Sequence, residues 1–179
     1  MNHTKNVIIT GGLGGIGFDI SKYFINKKFN LIIIDNQPKK NFDRKILNCS
    51  LSKNNQLILY YKIDLTNIVQ IKNLFKKLQK KFNSLDILIN CAGIQHISPI
   101  INYSDKIWEK IISINLSSYF FMIKYILPIM KKNNWGRIVN IASTHGHVAS
   151  VNKSGYVASK HALHGFLSTV RMENRKEIT

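Results

Sequence analysis

The chain has 179 residues, 45% of them hydrophobic, which suits one domain, spanning 1–179, with a sizeable core. Its formal charge is +17, but the 26 Lys and Arg are scattered, with only pairs such as Lys39-Lys40, Lys80-Lys81 and Lys131-Lys132, and no aromatic-studded basic platform appears; the reading is of no nucleic-acid partner. Cys49 and Cys91 lack metal-ligand spacing, Met1 to Lys5 does not resemble the start of a secretory signal, and the apolar stretch Ile111 to Met130 is broken by Asn115, Lys124 and serines, so a cytoplasmic chain without a membrane span is expected.

Apolar runs and helical patterns alternate from the start. A strand is predicted near Asn6–Thr10, a helix near Ile16–Lys27 and a second strand near Asn30–Asp35, followed by a polar, basic segment with room for a short helix. The run QLILYYKID reads as a third strand, and Ile68, Ile71, Leu74, Phe75, Leu78 and Phe82 recur at helical spacing after it. LDILINCAG supplies a fourth strand, a helix follows around Trp108–Met130, and Pro128 is expected to bend or shorten that helix. GRIVNIAS is the fifth strand, and the last helix runs through Tyr156 and Lys160 toward Arg171. The expected fold is α/β: a Rossmann-type, doubly wound parallel sheet of order 3-2-1-4-5, with its ligand crevice beyond the strands' carboxyl ends.

The candidate chemistry falls at those ends. In TGGLGGIG, Gly11 permits a tight turn, Gly15 lets the backbone approach a pyrophosphate, and Gly17 allows close packing of helix on strand; the helix N-terminus offers free N–H groups to the anion. Asp35 ends the second strand, twenty residues after Gly15, where an acid hydrogen-bonds an adenosine ribose and repels a 2′-phosphate; NAD is therefore favoured over NADP. Asp64, the Asn90–Gly93 turn and Ser143 end the third, fourth and fifth strands, so separate strand ends converge on one crevice. Tyr156 and Lys160 are one helical turn apart, so the ammonium sits where it favours ionisation of the phenol, and a phenolate is a usable proton acceptor. An isolated Tyr-x3-Lys pair is commonly a plain helix surface; its setting is what gives it weight here. His145, His147, His161 and His164 suggest a metal site, but no carboxylate or cysteine completes a coordination set, and none is assigned.

Taken together, TGGLGGIG, DLTN, NCAG, Asn115, Ser143, Tyr156 and Lys160 resemble the short-chain dehydrogenase/reductase family over essentially the whole chain. The resemblance implies a catalytic tetrad of Asn115, Ser143, Tyr156 and Lys160. It also implies cofactor contacts at Gly11, Gly15, Ile16, Gly17, Asp35, Asp64, Leu65, Asn90, Ala92, Gly93, Tyr156 and Lys160. Asp64 would meet the adenine, and Asn90 would stabilise the central sheet. Cys91 departs from the pattern, since the family usually carries a second asparagine there.

Within the family, NCAGIQHISPI and NNWGRIVNIASTHGHVASVNKSGYVASKHALHGF are similar to the D-3-hydroxybutyrate dehydrogenase group, a likeness that IISINLSSYFF shares. That likeness implies a substrate carboxylate held by Gln95, His145 and Lys153 beside Ser143 and Tyr156, an amide, an imidazole and an ammonium around an anion. Read without it, His145 and Lys153 are equally a loop histidine and a solvated lysine. The family also implies pairing of like chains through the helices near Trp108–Met130 and Tyr156–Arg171. Glu177-Ile178-Thr179 reads as the opening of a sixth strand, the last strands of the family fold being missing. This leaves two other functions open: a catalytically incompetent NAD-binding or subunit-interaction module, and a family reductase for another carbonyl substrate.

Overall fold

The computed structural model describes residues 4–46, 56–174 and 178. Cys49, most of the Met1–Lys5 segment, Glu177 and Thr179 lie outside the described residues.

Five parallel strands form one sheet in the order β3-β2-β1-β4-β5. They are β1 (Asn6–Thr10), β2 (Asn30–Asp35), β3 (Ile58–Lys62), β4 (Ile87–Asn90) and β5 (Arg137–Asn140). This is the order the alternating pattern predicts. Strands β3, β4 and β5 are shorter than their apolar runs because the chain leaves the ladder to form the crevice, so Asp64 and Ser143 stand beyond the last paired residues.

Side-chain alternation along the central strands builds a core on each face of the sheet. Val7, Ile9, Leu31, Ile33 and Ile89 face Ile25 of α1 (Gly15–Asn26) and Phe42 and Ile46 of α2 (Lys39–Ile46). Ile8, Ile32, Ile34 and Leu88 face α3 (Ile68–Lys81) and α5 (Ser118–Lys132). Isolated, a helix of the length of α3 is marginal in water. Burying Ile71, Leu74, Phe75 and Leu78, at about 1.5–3 kcal/mol each, is what fixes it, and Asn67 caps it by accepting from the Gln70 N–H.

The predicted helix around Trp108–Met130 is one helical run with an irregularity. It begins as α4 (Asp105–Ile112), widens into a π-turn over Ser113–Ser117 and continues as α5. Pro128 does not shorten it, since α5 runs on to Lys132. Proline removes the bond to the carbonyl of Lys124, but both residues lie on the exposed side, where water can satisfy that carbonyl. The run Asp105–Lys132 is long and apolar enough to cross a membrane by length and composition, but Met122, Ile123, Ile126 and Met130 are packed in the sheet's core. The final helix, α6 (Ser154–Glu173), carries Tyr156 and Lys160 on its first two turns. Beyond it, Ile178 makes one parallel bridge with Gly136 at the foot of β5.

Candidate active site

The glycine turn is dictated by close contacts at two of its positions. Gly11 has φ +66°, a left-handed conformation that a side chain rarely adopts, and its N–H donates to the carbonyl of Ile34 at 2.7 Å. A Cβ on Gly17 would collide with the Gly11 carbonyl, so only glycine lets α1 start this near the turn. Gly15 differs: a Cβ there would meet nothing within 4 Å, because its backbone faces an open cavity. That cavity, about 340 Å³, is lined by Gly11, Gly15, Ile16, Gly17, Asp35, Asp64, Leu65, Ala92 and Gly93, so nine of the proposed cofactor contacts meet in one place. Gly14, Asn36, Gln37, Ile63, Cys91, Ile94 and Ile114 complete its wall; sequence reasoning missed these, although each is within two residues of a position it singled out.

Asp35 is 6% exposed, and its carboxylate accepts the N–H groups of Leu13 (3.0 Å) and Gln37 (3.1 Å). A carboxylate has about four acceptor sites, so two remain for a ligand in the cavity. Its charge is felt next door: burial, followed by the Asp35 charge, pushes the Tyr60 phenol up to about 12. Asp64 is exposed and folds onto its own turn, accepting from the Thr66 N–H (2.9 Å) and hydroxyl (2.8 Å). Asn90 lies apart from the cavity wall: it is fully buried and donates across the sheet to Asn140 Oδ1 at 2.9 Å, the sheet-stabilising part the resemblance implies.

The turn after β4 is held from two sides. The Thr10 hydroxyl accepts the N–H groups of Cys91 (3.0 Å) and Ala92 (3.2 Å). On the other side, the fully buried amide of Asn115, standing in the π-turn, accepts the Ile94 N–H and donates to the Ile94 carbonyl, both at 2.9 Å. Its second N–H goes to the Ser159 hydroxyl at 3.2 Å, and Ser159 donates on to the Tyr156 carbonyl at 2.7 Å. Asn115 therefore joins the cavity wall to the helix of Tyr156.

Lys160 is 3% exposed, and its ammonium donates to the carbonyl of Ile141, beyond β5, at 2.8 Å. The same ammonium lies 5.8 Å from the Tyr156 ring centroid and 5.6 Å from that of Tyr119. Burial lowers the Lys160 pKa, with the nearby Cys91 opposing; the Cys91 thiol is itself raised by burial and drawn down by Lys160. Tyr119, raised by its burial, donates to the Ala92 carbonyl at 3.1 Å and so binds the ends of β4 and β5 together.

Ser143 is extended, and its hydroxyl caps a short 3₁₀ turn (Thr144–Gly146) by accepting the His145 N–H at 3.1 Å. The turn lays the His145 ring edge-to-face against Tyr156, with centroids 5.7 Å apart. Gly146 is required there, since a Cβ would collide with the His164 ring. Of the remaining proposed substrate contacts, Gln95 is exposed in the loop after β4 and Lys153 is the half-buried N-cap of α6. A backbone bond from the Ser98 N–H to the Asn152 carbonyl, 2.8 Å, ties those two loops together.

The family model for short chain dehydrogenase matches residues 5–179. Among curated proteins, the chain is 37% identical over 176 residues to a D-beta-hydroxybutyrate dehydrogenase of Cupriavidus necator and 36% identical over 170 residues to one of Rhizobium meliloti. These alignments cover 97% and 95% of this chain but 66% of each relative, so the chain spans just under two thirds of their length. Among solved structures, a 4-hydroxyisoleucine dehydrogenase complexed with NADH superposes with a TM-score of 0.83 at 36% identity, over 97% of this chain and 71% of that one. The same enzyme with NADH and succinate gives 0.81 at 36% identity, over 96% and 75%. A match running from Lys5 onward, on a sheet of this order, leaves one conclusion: the chain belongs to the short-chain dehydrogenase family.

Proposed function

We propose that the chain works in an NAD-dependent dehydrogenase that reversibly oxidises D-3-hydroxybutyrate to acetoacetate. The observation that carries this reading is the placing of Lys160: buried, pinned on the Ile141 carbonyl, 5.8 Å from the Tyr156 ring and beside the glycine-lined cavity. The cavity fits an adenine dinucleotide. Gly15 presents bare backbone, the first turn of α1 has N–H groups that no helix satisfies internally, and the Asp35 carboxylate keeps acceptor capacity for a ribose. When bound, NAD supplies the hydride acceptor.

Tyr156, as phenolate, takes the hydroxyl proton of the alcohol as the C–H hydride leaves and the ketone forms; the reverse reaction returns that proton to the ketone oxygen. Lys160 stabilises the phenolate by its charge and holds the nicotinamide ribose, while Ser143 positions the reacting oxygen. Both N–H donors of the Asn115 amide are taken within the protein. A water linking Lys160 to solvent would therefore lean on the remaining acceptor capacity near Asn115. Gln95, His145 and Lys153 are assigned to the substrate carboxylate, supported by the bond that ties the Gln95 and Lys153 loops and by the seat of His145 on Tyr156. The cytoplasm is the assigned compartment, consistent with the reduced thiol of Cys91 at the cavity wall. Pairing of like chains is assigned to α5 and α6, where Phe120, 41% exposed, flanks an apolar groove with Leu116, Phe121, Ala162 and Phe166.

A second reading, oxidation of a different hydroxy acid, is favoured by one observation. Both ring nitrogens of His145 already lie within reach of serine hydroxyls, so the carboxylate grip can fall to Gln95 and Lys153 alone. The test is NADH formation from D-3-hydroxybutyrate by the purified chain, with Tyr156→Phe as blank. Turnover that vanishes in the variant while NAD binding persists is the expected result. Loss of NAD binding in the variant would overturn the role of Tyr156. Folded protein that binds NAD without turning over would be a binding or pairing module instead.

A further inference from the structure

His145 is held by two hydroxyls of unequal grip. Its Nε2 lies 2.8 Å from Ser150 Oγ, whereas its Nδ1 lies 3.4 Å from Ser143 Oγ. A neutral imidazole has one N–H and one bare nitrogen, so the proton on this ring decides what each serine does. Ser143 has one O–H to give and two acceptor sites, one of which the His145 backbone N–H occupies. If Nε2 carries the proton, bare Nδ1 draws the Ser143 hydroxyl proton toward the ring, away from any substrate oxygen. If Nδ1 carries it, the ring fills the second acceptor site of Ser143 and the hydroxyl proton has nowhere to go but outward.

The separation at Nε2 favours the second arrangement. Hydroxyl donors sit at about 2.7–2.8 Å, nitrogen donors at about 2.9–3.0 Å, and the Ser150 contact matches the hydroxyl donor. We propose that Ser150 is a positioning residue: its hydroxyl donates to Nε2 of His145, fixes the ring as the Nδ1–H tautomer, and so leaves the Ser143 proton free for the reacting oxygen. Ser150 is suitably placed, half-buried in the segment between the 3₁₀ turn and α6 that the Ser98–Asn152 bond anchors. The ring it orients rests on Tyr156, so the same hydroxyl fixes the wall beside the phenol. The consequence for Ser143 rests on the proposed dehydrogenase reading; the tautomer of His145 does not.

The experiment uses the 179-residue chain with ¹⁵N-labelled histidine, at alkaline pH where imidazole is neutral, with the His145 resonances identified by their loss in His145→Gln. The expected wild-type pattern is protonated Nδ1 and bare Nε2, shifting toward protonated Nε2 in Ser150→Ala and restored in Ser150→Thr. Protonated Nε2 in the wild type, or an unchanged tautomer in Ser150→Ala, overturns the proposal. The wild-type spectrum decides even if a variant fails to fold. Where turnover is measurable, kcat should fall roughly ten- to a hundredfold in Ser150→Ala with KM for NAD unchanged, and recover in Ser150→Thr. An equal fall in both variants would make Ser150 merely structural. A chain with no turnover at all would defeat the dehydrogenase reading while the spectra still decided the tautomer.

Discussion

Asn115→Ala tests the link between the π-turn and the cavity wall. The substitution removes three hydrogen bonds and leaves the N–H and carbonyl of Ile94 without their partner. An unpaired buried polar group costs about 1–3 kcal/mol. Ile94 lines the cavity, where water can partly replace the amide, so the lower part of that range applies to each group. The expected loss is about 2–4 kcal/mol, or roughly 5–15 °C in Tm for a domain of this size. Urea and thermal melts measure it, and calorimetric titration with NAD should show weaker binding because the released loop carries Ala92 and Gly93 into the cavity. Ser159→Ala shares the broken bond, so the double variant should lose less than the sum of the singles by about 0.5 kcal/mol or more. A loss below about 0.5 kcal/mol for Asn115→Ala, the size of an ordinary surface change, would refute the pinning.

Gly17→Ala and Gly15→Ala should part company. The first forces a Cβ onto the Gly11 carbonyl and should cost about 1–3 kcal/mol in a melt. The second enters open space and should melt like the wild type while binding NAD less well; equal melting of the two would contradict the packing described. Asp35→Ala should weaken NAD and narrow its preference over NADP, and an unchanged ratio in paired titrations would remove Asp35 from cofactor selection. Alkaline stability has a defined sign at Tyr60, whose folded pKa of about 12 exceeds the model value of 10.0. Between those values the unfolded phenol has lost its proton and the folded one has kept it, so stability falls as pH rises through the window. Tyr60→Phe should flatten that fall, and an alkaline melt as steep as the wild type's would count against the raised value.

The sheet and the glycine turn were legible because their causes are local. Period-two and continuous apolar runs mark β1 and β2, and the spacing from Gly15 to Asp35 follows from one βαβ unit. The π-turn was not, since SINLS sits inside an ordinary helical pattern and widens around a bond to Ile94, 21 residues away. Pro128 misled for a similar reason: whether it ends a helix depends on which side faces water, and that is settled only by packing. The segment from Ser143 to Lys153 shows a third case. Its chemistry-bearing residues were visible, but the pairing of His145 with Ser150 depends on a 3₁₀ turn with no periodicity to betray it.

The widened turn also bears on how this chain tolerates changes of length. A π-turn is a helix holding one residue too many, so dropping one residue from Ser113–Ser117 lets the run close as plain α-helix while Ile111 on one side and Met122 and Ile126 on the other keep their faces. The shortened protein would hold its secondary structure by circular dichroism yet present no amide to Ile94. Insertions and deletions at this point thus divide the fold from the site, and a lineage losing that single residue would lose the crevice wall long before it lost the domain.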